Sequence, residues 1–311
     1  MQITRNWMQT LVILSLGSTQ WLLAQTQTGD QESSSSTVSS IRLPEVSVVG
    51  TNVLREDQLM GANQQPEWTA RRRFVTTRVY VQPPWQVETE LGYDGSFGRV
   101  GKPLHLFQQE IEVGLPYRFQ LDVENVVDNF KEGDDAGRKW HHDSNSVELR
   151  YALAEWGRIP LNPTVNAEWK FNDGAADAFE FQLLLGEEFS ERLHWGLNLF
   201  YENQIGDDRI REFAVSQALS YTLIDEKLSG GIEMKFSSES DKDSRADPEN
   251  KYQVGPSIQW RPTRRTHFDV VPLFGVGPHA PQAELFVFFG IEFGPGSKDA
   301  EGVVPASLRG K

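Results

Sequence analysis

From Trp85 onward the chain repeats one unit, about ten residues that alternate apolar and polar and then a turn, which predicts an all-β fold: a transmembrane antiparallel β-barrel of about twelve strands. Three observations carry this. Each unit keeps its apolar residues on one parity, the links alternate between polar loops and tight turns, and aromatic residues gather at the unit ends.

In the first unit, WQVETELGY, Val87, Leu91 and Tyr93 oppose Glu88 and Glu90. The second sets Phe107, Ile111, Val113 and Leu115 against Glu110 and Glu112, and the third sets Phe119, Leu121 and Val123 against Asp122 and Glu124. Val147, Leu149 and Tyr151 oppose Glu148 and Arg150; Val165, Trp169 and Phe171 oppose Glu168 and Lys170. Phe179, Phe181 and Leu183 stand against Glu180, while Trp195, Leu197, Leu199 and Tyr201 form the seventh unit, with Glu202 on the other parity. Phe213, Val215, Leu219 and Tyr221 mark the eighth; Ile232, Met234 and Phe236 oppose Glu233 and Lys235 in the ninth. Tyr252, Val254, Ile258 and Trp260 make the tenth, and Phe268, Val270 and Phe274 the eleventh. The last, AELFVFFGIEF, holds Leu285, Val287, Phe289, Ile291 and Phe293 against Glu284 and Glu292.

The loops after odd units are polar, for example DNFKEGDDAGRKWHHDSN, whereas LPYR, GRIPLNP, SERLH, IDEK and RPTRRT are tighter. An even strand number places both barrel termini on one side, with the long loops on the other. Trp85, Tyr117, Trp156, Trp195, Trp260 and Phe268 fall at one set of ends and Tyr93, Phe130, Phe171, Phe179 and Tyr201 at the other, as interfacial girdles require. A soluble β-sandwich also alternates, but its strands are about half as long.

The chain has 311 residues, a net charge of −14 and no cysteine. Acidic balance argues against nucleic acid as a partner, because phosphate contact needs a basic face. Residues 1–24, with Arg5 before an apolar run that ends at Ala24, read as a cleaved secretory signal. Residues 25–42 are a polar, serine-rich tether. Residues 43–84 form an extension before the barrel, residues 85–293 the barrel itself, and residues 294–311 a tail.

If the apolar parity faces lipid, the other parity lines the interior. It carries Glu110, Glu112, Asp122, Glu124, Glu148, Glu168, Glu180, Glu202, Glu233 and Glu292, with Glu88, Glu90, Glu212, Asp269 and Glu284 beside them, against Arg150, Lys170 and Lys235. Confined carboxylates attract cations and repel anions. The run EWTARRRF, with Arg71, Arg72 and Arg73, either folds into the lumen as a small plug paired with those acids or is a solvated basic segment. RFVTTRVYV is either a further strand or a lumen-lying segment. A barrel of about twelve strands fits a narrow pore for a small solute and fits equally a barrel filled by its own side chains.

The units from Trp85 to Phe293 resemble the barrels of bacterial outer-membrane proteins, which implies a channel or transporter in the Gram-negative outer membrane, surrounded by its lipids. That class often ends on an aromatic residue read by the barrel-insertion machinery; Phe293 resembles it, although GPGSKDAEGVVPASLRGK follows. Glu45-Val46-Ser47-Val48-Val49, within LPEVSVVGTN, resembles the TonB box of TonB-dependent receptors, implying a periplasmic energy-coupling protein as partner. A receptor plug domain is not in the sequence, since only some thirty residues separate this segment from the first strand. An incidental rim strand is the competing reading. HDSNS, with His142 and Ser144 on one parity, resembles the start of the outer-membrane phospholipase motif, but Ser146 and Val147 replace its Gly-Arg. No catalytic triad, cofactor fingerprint or metal-ligand spacing is present, so no enzyme, cofactor or metal is expected.

Overall fold

The computed structural model describes residues 56, 59–71, 73–129, 140–206, 209–294 and 304–305. The signal, the tether and the box-like Glu45 to Val49 lie outside the described residues, as does Arg72.

Twelve strands follow one another: β1 (Val87–Phe97), β2 (Leu104–Leu115), β3 (Phe119–Asp128), β4 (His141–Ala152), β5 (Thr164–Asn172) and β6 (Ala178–Ser190). Then come β7 (Leu193–Gln204), β8 (Arg211–Ile224), β9 (Leu228–Ser240), β10 (Glu249–Thr263), β11 (Thr266–Val276) and β12 (Ala283–Phe293). Each pairs antiparallel with the next, and β12 returns to β1 from Ala283 opposite Phe97 to Phe293 opposite Val87. The barrel is therefore closed and leaves no strand edge, as lipid demands of a spanning sheet. Strand lengths run from 9 residues in β5 to 15 in β10, enough for tilted strands to cross a bilayer core.

Parity sorts the two faces. Ile111, Val123, Val147 and Trp169 are neighbours across β2 to β5 and are 41 to 49% exposed on the outside. A continuous apolar belt of this kind is incompatible with water and suits hydrocarbon. Tight turns at the lower end, where β1 begins, use left-handed residues: Tyr117 and Arg118 between β2 and β3, and Glu226 between β8 and β9.

The residues before β1 run inside the barrel. Glu67–Ala70 makes a single helical turn behind Pro66, and Arg73 to Gln86 continues without forming a strand. Trp68, Phe74, Val79, Tyr80 and Val81 cluster with Ala152 and Ala218 from the wall, while Val75 packs on Val271, Leu273 and Phe288. The apolar core of this barrel is thus built by the segment, not by the strands alone. Wall glycines make room for it. A Cβ at Gly114 would lie 2.0 Å from the Pro83 carbonyl oxygen, and one at Gly196 would lie 2.8 Å from both Thr77 and Val79.

Candidate functional site

The lumen is the candidate site, and its lower half is occupied by Leu59 to Gln86. The segment's anchors are mostly polar. Trp68 donates its indole N–H to Glu188 at 2.9 Å, the Thr77 and Ser216 hydroxyls meet at 3.0 Å, and Gln82 N–H reaches Gln120 at 2.6 Å. Glu233 on β9 accepts from the backbone N–H of Val75 at 3.1 Å and of Thr76 at 2.8 Å, and from the Thr76 hydroxyl at 2.6 Å. Backbone donors aimed at a wall carboxylate fix the register of the stretch from Arg73 to Gln86, which has no ladder of its own.

Arg71 and Arg73 are buried here and share the carboxylate of Glu56, from the segment's own beginning, at 3.1 and 2.7 Å, and Arg71 also bonds Glu67. Arg73 also donates to Thr222 on β8 at 2.9 Å. Burial alone would raise the Glu56 carboxyl, but Arg73 and then Arg71 outweigh it and hold it at about 2. A depressed acid contributes stability that is complete above its unfolded value and is lost as pH falls through the folded one. Docking of Glu56 on the two arginines should therefore be constant at neutral pH and should weaken from about pH 4.5 down to 2. Protection of the segment against an acid-active protease, followed against pH, measures this; protection that is flat across that window would remove Glu56 as the anchor.

The expected acidic residues form a pattern that counting by parity does not reveal. Glu292, Glu88, Glu112, Asp122, Glu148, Glu168, Glu180, Glu202, Glu212, Glu239 and Glu249 are direct cross-strand neighbours in that order, winding from the lower rim of β12 to the upper rim of β10. Glu90, Glu110 and Glu124 form a second short row. Strand tilt turns level registry into a spiral. Like charges directly opposite one another repel, so cations must interleave. Arg78 from the segment reaches Glu110 at 3.1 Å and Glu90 at 3.4 Å and also bonds Glu112. Arg150 takes Asp122 at 3.2 Å together with Glu148, and Lys170 takes Glu202 and Glu180. Arg261 pairs with Glu292, and the buried His267 bonds Glu88 at 2.6 Å and Asp269. The close oxygens of Glu88 and Glu90 with His267, and of Glu90 with Glu110 and Glu112, would suit a cation, but His267 and Arg78 are already bonded within them.

Above the segment the lumen opens. A cavity of about 280 Å³ lies between Thr76, Lys170, Glu202, Phe200, Phe286 and Lys235. A second, of about 490 Å³, leads to the upper mouth past Glu249, Lys251 and Glu284, and both are lined by Glu212 and Lys235.

Parity reasoning missed several of these residues. Arg78 and Arg261 have the right chemistry, but Arg78 lies outside the strands and Arg261 at the fading end of one. The inward apolar Val271 and Leu273 break the alternation because they pack on the segment. Trp156, expected in the lower aromatic girdle, instead turns inward, edge-on to Trp68 at 5.6 Å and Tyr80 at 5.3 Å. His142 and Ser144 do not share a face. A bulge between Val126 and Val127 sets Ser144 opposite inward Val126 and His142 opposite Val127, whose other neighbour Phe107 is exposed outside. Phe293 is half-exposed on the last barrel strand, opposite Val87.

No protein-family model matches the sequence, and no curated protein matches it. Solved structures do. An outer membrane channel from Pseudomonas putida F1 matches at a TM-score of 0.51 and 11% identity, covering 69% of this chain and 98% of that one. The NanC porin matches at 0.46 and 12% identity over 67% of this chain and 100% of its own, and the KdgM porin at 0.44 and 10% over 67% and 99%. At these identities the likeness is one of fold, that of outer-membrane β-barrels.

Proposed function

We propose that the chain is a Gram-negative outer-membrane channel for a small solute, closed at its lower end by its own Leu59 to Gln86 segment. The observation that carries this is the division of the lumen: a charged vestibule open above, and below it a segment tied to the wall by side-chain bonds, whose strand pair Leu59–Met60 with Val304–Pro305 lies outside the barrel sheet. Such a segment can leave without unzipping the barrel. Six vestibule carboxylates, Glu180, Glu202, Glu212, Glu239, Glu249 and Glu284, face four cations, Arg99, Lys170, Lys235 and Lys251, which supports a preference for cations. In planar bilayers under a salt gradient, the reversal potential should carry the cation-selective sign; the opposite sign would sink the preference.

Glu45 to Val49 would add as a strand to a periplasmic coupling protein. Co-purification with that partner, lost on deleting Leu43 to Asn52, tests this. A barrel that binds without transport is the second reading, favoured by the packed lower half. It expects no conductance even after the segment is removed.

A further inference from the structure

The vestibule floor contains a built pair of opposite charges. Lys170 spans Glu180 and Glu202, Lys251 spans Glu239 and Glu249, and Gln253 donates to Glu284 at 2.7 Å. Lys235 and Glu212 make no such close pair, although Glu284, Glu212, Asp94 and Glu180 all act on Lys235 through space. They project from adjacent strands, Lys235 opposite Ser216 and Glu212 opposite Glu239, and both line the two cavities. Among the described residues neither has an ion pair within 4.0 Å. Phe200 and Phe286 add apolar surface to the same cavity, and Thr76 of the luminal segment lines it too.

We propose that this cavity binds a small zwitterion, its anionic group on Lys235, its cationic group on Glu212 and its apolar body between Phe200 and Phe286. The chemistry selects against simpler solutes. A lone cation would meet Glu212 but would be repelled by the Lys235 ammonium that lines the same cavity, and a lone anion would meet Lys235 but would be repelled by Glu212. A solute carrying both charges gives each of the two side chains a direct contact of opposite sign. The cavity, at about 280 Å³, is near the lower end for small-molecule sites and suits a solute the size of an amino acid. The inference deepens the channel reading and rests on it only for passage of the bound solute through the barrel. Binding without conductance would remove the channel and keep the site, and conductance without binding would do the opposite.

The test uses the purified full chain in detergent and three probes of one shape: L-leucine, its decarboxylated analogue isoamylamine and its deaminated analogue 4-methylvalerate. By titration calorimetry L-leucine should bind at least about tenfold more tightly than either analogue, one charged contact being worth that much. Lys235→Met should erase the preference over isoamylamine, and Glu212→Gln the preference over 4-methylvalerate. The barrel's heat-modifiable gel migration should be unchanged in both variants. Isoamylamine binding as well as L-leucine, retained preferences in the variants, or no binding of any probe would each overturn the proposal.

Discussion

Deleting residues 56–84 should convert a nearly closed barrel into an open one, raising single-channel conductance by at least about tenfold, because a barrel of this size has room for a pore once its contents are gone. The expectation rests on where the segment makes its contacts. Its partners come from β1 to β4, from β6 to β9 and, through Val75, from β11 and β12, so it spans the lumen and does not line one wall. The strands do not depend on it for pairing, since every barrel strand is hydrogen-bonded on both sides to other strands. A deletion that fails to fold would say nothing, so two further variants keep the prediction exposed. Gly114→Leu places a side chain where the Pro83 carbonyl lies and should raise conductance while leaving the barrel strands intact. Thr77→Cys with Ser216→Cys, in a chain with no other cysteine, joins two positions whose hydroxyls are 3.0 Å apart. Oxidised, the pair should keep conductance low in mild urea, and a reductant should release it. Low conductance in the deletion and in Gly114→Leu, together with no effect of the reductant, would mean that the segment is not what closes the lumen.

How much of this could be read from the chain follows from which interactions are local. Period-two alternation reports a strand's two environments directly, so the twelve strands, their faces and the carboxylates of the lumen are legible residue by residue. The spiral from Glu292 to Glu249 is not, because it exists only in the stagger between strands, which no single segment encodes. The basic residues divide the same way. Arg150 and Lys170 declare themselves by parity, whereas Arg78 lies in RFVTTRVYV, a stretch with no parity to read, and its three acids come from two strands. Arg71 and Arg73 are conspicuous in sequence, yet the carboxylates they bond are Glu56 and Glu67 of the segment and not those of the wall. Gly114 and Gly196 read as ordinary strand glycines until a second backbone is brought against them.

Arg78→Met should be the most disruptive single change in the lumen. The guanidinium lies among Glu90, Glu110 and Glu112, with its side chain 15% exposed and theirs at 1, 11 and 1%. Removing one partner of a buried ionic group leaves the others uncompensated, at a cost of about 3 to 5 kcal/mol. Here the charge belongs to the segment and the acids to the wall, so the loss falls on docking. The segment should become cleavable by trypsin at Arg71 or Arg73 under conditions where the wild-type segment is protected, while the barrel stays resistant. Glu112→Gln in the same chain should recover part of the protection by removing one orphaned charge, a coupling that a merely misfolded variant would not give. The contrast is Arg264→Ala. Arg264 pairs with Glu226 at 3.1 Å in a lower turn but is 43% exposed, and its loss should move stability by no more than about 0.5 kcal/mol. Equal protection in Arg78→Met and wild type would mean that the three glutamates are not held by this arginine, and the polar anchoring of the segment would then rest on its other wall partners, Glu188, Thr222, Glu233, Ser216 and Gln120 among them.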